Sequence, residues 1–190
     1  MIPLIKKSFY KESRTKNQLK KFIQGASHLS FGKECTKFEE NFAKWQKRKY
    51  CVFVNSGSSA NLAIIQSLLN VGKIKHGDPV GFSAVTWSTN AMPLIQLGLK
   101  SIPIDVSLET LNVSPQTLRK ALDPPAGGPI KMLFLTNLLG FCDAIDEIRA
   151  ICREKEILLI EDNCESLGTK YKNTLLGNFG QPPNGDCPLN

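Results

Sequence analysis

From Tyr50 onward the chain repeats one pattern: a short apolar run, then a stretch long enough for a helix. The runs are YCVFV (50–54), VGFSAV (80–85), SIPIDV (101–106), IKMLFLT (130–136) and EILLIED (156–162). The spacing between them predicts helices near 60–70, 89–98, 115–122 and 143–155. Strands without polar alternation have both faces covered, and helix-length connections join strands that run the same way. The pattern therefore predicts an α/β domain with a mostly parallel sheet and helices on both faces. It also says where a ligand sits, because in such sheets the connections gather beyond the carboxyl ends of the strands.

Upstream, two amphipathic helices are expected at 13–24 (Leu19, Phe22, Ile23) and 35–47 (Phe38, Phe42, Trp45), with Gly25 and Gly32 bracketing their connection. This divides the chain into a helical arm over 1–48, an α/β domain over 49–180 and an irregular tail, QPPNGDCPLN, over 181–190. Pro124, Pro125, Gly127, Gly128 and Pro129 predict a loop before the fourth strand. The first 50 residues carry 13 Lys/Arg against 4 Asp/Glu, a charge of +9, and the remainder carries −2. Those lysines are dispersed at helical spacing with few aromatics among them, which indicates a solvated helical face and no nucleic-acid partner. Six cysteines without a C-x-x-C pair point to reduced thiols rather than zinc or a redox dithiol. No apolar run approaches the ~20 residues of a membrane helix, and the N-terminus lacks a leader pattern, so a cytoplasmic protein with no membrane partner is expected.

Three strand ends carry the chemistry. The first delivers NSGSSAN (55–61), which opens a helix. Gly57 with the hydroxyls of Ser58 and Ser59 there makes a phosphate cup, although the same residue types serve as an ordinary N-cap. The P-loop and G-x-G-x-x-G patterns are absent, and no acid ends the second strand to hold a ribose. Trp87 follows the second strand; it suits core packing, or stacking on a planar ring worth ~0.5–1.5 kcal/mol beyond burial. Asp162 ends the fifth run, as a cap, a salt-bridge partner or a carboxylate awaiting a cation. A ligand that needs phosphate, stacking face and carboxylate together is pyridoxal 5'-phosphate. Its ring accepts electrons best when the ring nitrogen is protonated, and a nearby carboxylate stabilises that cation. Asn90 and Asn137 fall at the same edge as further candidates.

Taken in order, N-S-G-[ST]-x-A, T-[WF]-x-[AT]-[TN], LGLKSIPIDVSLETLNVSPQTL and E-D-x-x-x-x-L-G resemble the DegT/DnrJ/StrS-type sugar aminotransferases over roughly residues 20 to 180. The resemblance implies the aspartate-aminotransferase-like (type I) fold of pyridoxal-phosphate enzymes, here an incomplete large domain. It implies pyridoxal or pyridoxamine 5'-phosphate as cofactor, a nucleotide-linked keto-sugar as substrate, glutamate as amino donor and a homodimer in the full-length form. By position it implies Gly57, Ser58 and Ser59 at the phosphate, Trp87 on the ring, Asp162 at the ring nitrogen and Glu165 by the phenolic oxygen. Family members usually carry Gln or His where Glu165 stands, and an acid there repels a phenolate.

The family's Schiff-base lysine lies further on, inside an S-F-x-x-x-K-like segment. LLGNFG (175–180) still fits the resemblance and QPPNGDCPLN does not; no lysine follows Lys172, while Lys170 and Lys172 come too early. The expectation is an N-terminal portion of such an enzyme, through truncation or a shifted reading frame, with no catalytic residue of its own. The first reading is an aminotransferase of amino-sugar biosynthesis for surface polysaccharide. The second is a related pyridoxamine-phosphate-dependent dehydratase in which His replaces the lysine, toward which Asn163, Cys164 and Glu165 tilt the sequence. The third, of another class, is a non-catalytic α/β binding module.

Overall fold

The computed structural model describes residues 8–123 and 128–180. The chain divides into two compact units, one reaching to Phe38 and one beginning at Glu39. The first contains α1 (Glu12–Gly25) and the opening turn of α2 (Lys33–Gln46), so the boundary falls inside a helix. Both helices are where the apolar spacing predicts them, yet α1 buries none of its residues.

The second unit is built from α3 (Gly57–Asn70), β1 (Pro79–Ser83), α4 (Ser88–Gln96), β2 (Lys100–Ile104), α5 (Pro115–Leu122), β3 (Met132–Thr136), α6 (Ile145–Glu154) and β4 (Leu158–Asp162). Its four strands form a parallel sheet in the order β2-β1-β3-β4. A short antiparallel hairpin follows, β5 (Lys170–Tyr171) and β6 (Thr174–Leu175). Lys172 and Asn173 turn it with φ of 44° and 68°, the positive values that a two-residue hairpin loop demands.

Side chains alternate across the sheet, and the two faces make two cores. Met132, Phe134 and Leu158 pack with Ile65 of α3 and Leu94 of α4. Leu133, Leu135 and Leu159 pack with Leu118 of α5 and Ile148 and Ile151 of α6. All five residues of β3 are buried, as an apolar run without alternation requires. Each large aliphatic chain so buried contributes about 1.5–3 kcal/mol.

One expected strand is corrected. Tyr50–Val54 forms no regular element and joins no strand among the described residues; the Phe53 N–H donates to Glu39 Oε1 at 2.8 Å, and Tyr50 and Val52 are 75% and 78% exposed. An apolar run becomes a strand only where a neighbouring edge takes its N–H and C=O groups. Pro124, Pro125, Gly127 and the 181–190 tail lie outside the described residues. Among the described residues no helix is long and apolar enough to cross a membrane, and no cluster of His, Cys, Asp and Glu could hold a metal ion.

The segment after the hairpin returns to the sheet. A Cβ on Gly180 would stand 2.9 Å from the Leu159 carbonyl oxygen on β4, and backbone on both sides cannot yield. Gly180→Ala is expected to cost about 1–3 kcal/mol, the range for overpacking, read as a lowered urea midpoint at unchanged slope; an unaltered midpoint would contradict this close approach.

Candidate active site

Glu161 and Asp162 are adjacent, so the strand sends their side chains to opposite faces of the sheet. Glu161 turns toward the α5/α6 side and closes on backbone: its Oε1 accepts the N–H groups of Phe179 and Gly180, both at 2.7 Å, and its Oε2 accepts Gly177 N–H at 2.8 Å. Asn137 Nδ2 bridges Glu161 Oε2 and Asn163 Oδ1, at 3.3 and 2.8 Å. The candidate Asn137 thus ties the loop after β3 to the loop after β4.

Asp162 turns toward the α3/α4 side. Its Oδ2 accepts Asn61 Nδ2 at 3.0 Å and Asn90 Nδ2 at 2.7 Å, while Oδ1 accepts the Cys164 N–H at 3.0 Å. Burial pushes this carboxyl up, but the Cys164 N–H, the Asn90 and Asn61 amides and the Cys164 thiol outweigh it, and the group lies below its ordinary value. The same neighbourhood pushes the Cys164 thiol up to about 11, first through burial and then through the Asp162 charge; it stays a thiol rather than a reactive thiolate. Among the described residues no lysine or arginine forms an ion pair with Asp162. A charged, half-buried carboxylate held only by neutral donors is chemically suited to receive a cation.

Gly57 and Asp162 line one cavity of about 280 Å³, together with Asn61, Phe134, Ile160 and Cys164. Ser58 and Ser59 face a second cavity of about 290 Å³ beside Thr89 and Met92 of α4. The α3 N-cap is Ser56, whose side chain accepts the Ser59 N–H at 3.2 Å, and the Ser59 hydroxyl donates to Asn55 Oδ1 at 2.6 Å. Trp87 is the N-cap residue of α4, 64% exposed, and lines neither cavity. It lies at the same sheet end as Asp162, because its carbonyl accepts the N–H of Asn90 at 3.0 Å and Asn90 reaches the carboxylate. The ends of β1 and β3 are stitched there by Thr86 and Thr136, hydroxyl to hydroxyl at 2.8 Å. Glu165 is exposed, and its Oε2 accepts the N–H of Leu139 at 2.7 Å in the left-handed loop after β3. Donor set, carboxylate and helix terminus fit a ligand that joins phosphate to a cationic ring.

The profile of the DegT/DnrJ/EryC1/StrS aminotransferase family matches residues 10–183. This chain belongs to that family. Among relatives within it, the GDP-4-keto-6-deoxy-D-mannose 3-dehydratase of Escherichia coli O55:H7 is 39% identical over 154 residues, covering 80% of this chain and 39% of the relative. The UDP-2-acetamido-2-deoxy-3-oxo-D-glucuronate aminotransferase of Pseudomonas aeruginosa is 34% identical over 141 residues, covering 74% of this chain and 37% of the relative. The solved structure of E. coli GDP-4-keto-6-deoxy-D-mannose-3-dehydratase with bound hydrated pyridoxal phosphate superposes with a TM-score of 0.82 at 33% identity, covering 95% of this chain and 45% of that one. The chain therefore spans about two-fifths of the length of the curated relatives it matches, and its fold is the α/β fold of this family, in part.

Neither late lysine enters the Asp162 site through the contacts it makes. Lys172 Nζ is bound to Asp146 Oδ2 at 2.6 Å, on α6 and so on the other face of the sheet, and Tyr171 OH donates to the second oxygen of Asp146 at 2.9 Å. Lys170 lies in β5 and is exposed. The residue that sequence reasoning missed is Asn61. Its signal was a poor helix former inside the apolar run NLAIIQSLL, where only a side-chain task justifies an amide.

Proposed function

We propose that this chain is the cofactor-binding part of a pyridoxamine-phosphate-dependent 3-dehydratase for a nucleotide-linked 4-keto-6-deoxy sugar. The observation that carries the cofactor reading is Asp162, a carboxylate at a strand end with neutral donors around it and a serine-rich helix terminus on the same edge. The dehydratase branch is supported by the likeness to 3-dehydratases in both sequence and fold. A second reading, sugar aminotransferase, is favoured by the 34% identity to the Pseudomonas enzyme. In both readings glutamate as amino donor, a homodimer and a cytoplasmic location belong to the proposal.

The residues divide the work. Gly57, Ser58 and Ser59 receive the phosphate with hydroxyls and first-turn N–H groups, Trp87 covers the ring, and Asp162 keeps a proton on the ring nitrogen. Glu165 is the residue for the phenolic oxygen, where an acid disfavours the phenolate. When bound, pyridoxamine phosphate supplies the amine that condenses with the sugar ketone and the ring that accepts an electron pair.

The reading is tested by titrating pyridoxamine 5'-phosphate into a Trp45→Phe chain, in which Trp87 is the remaining indole. Saturable quenching, competed by inorganic phosphate and weakened about tenfold by Ser59→Ala, a charge-assisted hydrogen bond's worth, is expected. Absence of saturable binding at millimolar cofactor would overturn it. Borohydride reduction of the chain with pyridoxal 5'-phosphate, followed by peptide mass spectrometry, is expected to show no pyridoxyl group on Lys170 or Lys172. An adduct on either would place the nucleophile within this chain.

A further inference from the structure

We infer that Asn61 and Asn90 are positioning residues for the cofactor's ring nitrogen: two helices each lend one neutral amide to the same oxygen of Asp162, fixing the plane of the carboxylate while leaving its charge available. The inference rests on the proposed cofactor reading and extends it to two residues that act through Asp162.

The geometry is over-determined in three ways. Asn61 and Asn90 are 8% and 1% exposed, so neither amide can turn to water instead. Asn90 Oδ1 is buried with no hydrogen-bond partner. Reversing that amide would set its oxygen against Asp162 Oδ2 at 2.7 Å, two acceptors in contact; the side chain keeps its donor on the carboxylate at the expense of an orphaned oxygen, which ordinarily costs about 1–3 kcal/mol. Asn61 is held from its other side. Pro93 stands inside α4 and has no N–H to give to the carbonyl four residues back, that of Thr89. Asn61 Nδ2 donates to that carbonyl at 3.2 Å while also donating to Asp162 at 3.0 Å. The proline thus frees an acceptor that locks the orienting amide.

The choice of amides matters chemically. A lysine or arginine in either place would orient Asp162 equally well but neutralise it, and the ring nitrogen would meet an ion pair rather than an anion. Neutral donors stabilise the ionised carboxylate without cancelling its field, as outer partners do for the ligands of a metal. The oxygen they hold is Oδ2, while Oδ1 carries only the Cys164 N–H among backbone and amide donors.

The test separates positioning from mere stapling of α3 and α4 to β4. Carboxyl-carbon NMR of aspartate-labelled chain, without cofactor, gives the Asp162 titration in the unmodified protein and in Asn61→Leu, Asn90→Leu and the double variant. Each isosteric leucine keeps the bulk and removes the donor. The Asp162 midpoint is expected to move upward with each change and furthest in the double variant, with Asn90→Ser recovering part of the shift. Pyridoxamine 5'-phosphate affinity should fall about tenfold per lost donor, the worth of one charge-assisted hydrogen bond. Lower melting temperatures with an unmoved Asp162 midpoint would overturn the inference. Should the variants not fold, the side-chain amide protons of Asn61 and Asn90 in the unmodified chain must shift along the Asp162 titration, and flat signals would overturn it equally. If the unmodified chain binds no pyridoxamine phosphate while the carboxyl behaves as described, the cofactor reading fails and the positioning of Asp162 stands.

Discussion

Asp162→Asn is expected to weaken pyridoxamine 5'-phosphate binding by roughly 100-fold or more. The change keeps the shape of the side chain and removes its charge, leaving the ring nitrogen's proton without a counter-ion; loss of one partner of a buried ion pair costs about 3–5 kcal/mol. Stability changes differently with pH. The folded carboxyl lies below its ordinary value of 3.8 despite burial, because the Cys164 N–H and the two amides favour the anion. A depressed folded value gives a contribution that is fully present above the unfolded value and is lost as pH falls through the folded one. The unmodified chain should therefore lose more stability than Asp162→Asn as pH falls below about 4. Urea midpoints of both proteins at pH 7 and pH 3 check this, and parallel losses would show that Asp162 is not preferentially stabilised as the anion.

Glu161→Ala is expected to have the largest effect on folding, about 3–5 kcal/mol. It removes the acceptor of three backbone N–H groups, those of Gly177, Phe179 and Gly180, and each buried donor left unpaired costs about 1–3 kcal/mol. Against the ~5–15 kcal/mol that a domain has in total, this is a large share. The same segment is gripped from α2 and its exit, where Gln46 Nε2 donates to the Leu176 carbonyl and Arg48 donates to that of Gly177, both at 2.7 Å. A partial loosening should therefore appear first as faster amide exchange at Gly177, Phe179 and Gly180. Exchange that stays slow in the variant, with an unchanged urea midpoint, would mean that these other contacts suffice.

Four of the five apolar runs are strands within a residue or two of their expected bounds, because a strand packed between helices is apolar at successive positions, most completely in β3, where all five residues are buried. Tyr50–Val54 carries the same mark and is not a strand: residue pattern reports burial and shape, not the presence of an edge to pair with. The place of Asp162 at the carboxyl edge of the sheet was legible because it ends the apolar run Leu158, Leu159 and Ile160. The task of Glu161 was implicit in the period of two, which sends adjacent side chains to opposite faces, but its partners lie 16 to 19 residues later in a loop whose path no local rule supplies. Asn90 was legible as a candidate at the carboxyl edge, Asn61 only as an amide ahead of the apolar run LAIIQSLL. That both reach one oxygen depends on how α3 and α4 pack, which is tertiary information. The lock on Asn61 was hidden further still, since Pro93 in a helix reads as a flaw until the carbonyl it frees is seen to be used.

In the proposed function the carboxylate at the end of β4 receives the protonated ring nitrogen of a pyridoxamine-type cofactor. The most direct measurement is nitrogen NMR of ring-labelled pyridoxamine 5'-phosphate bound to the chain, followed through neutral to alkaline pH. The predicted result is a ring nitrogen that stays protonated beyond the pH at which the free cofactor loses its proton, and that loses it early in Asp162→Asn. A bound ring nitrogen that titrates as in free solution, or identically in the two proteins, would rule out Asp162 as its partner.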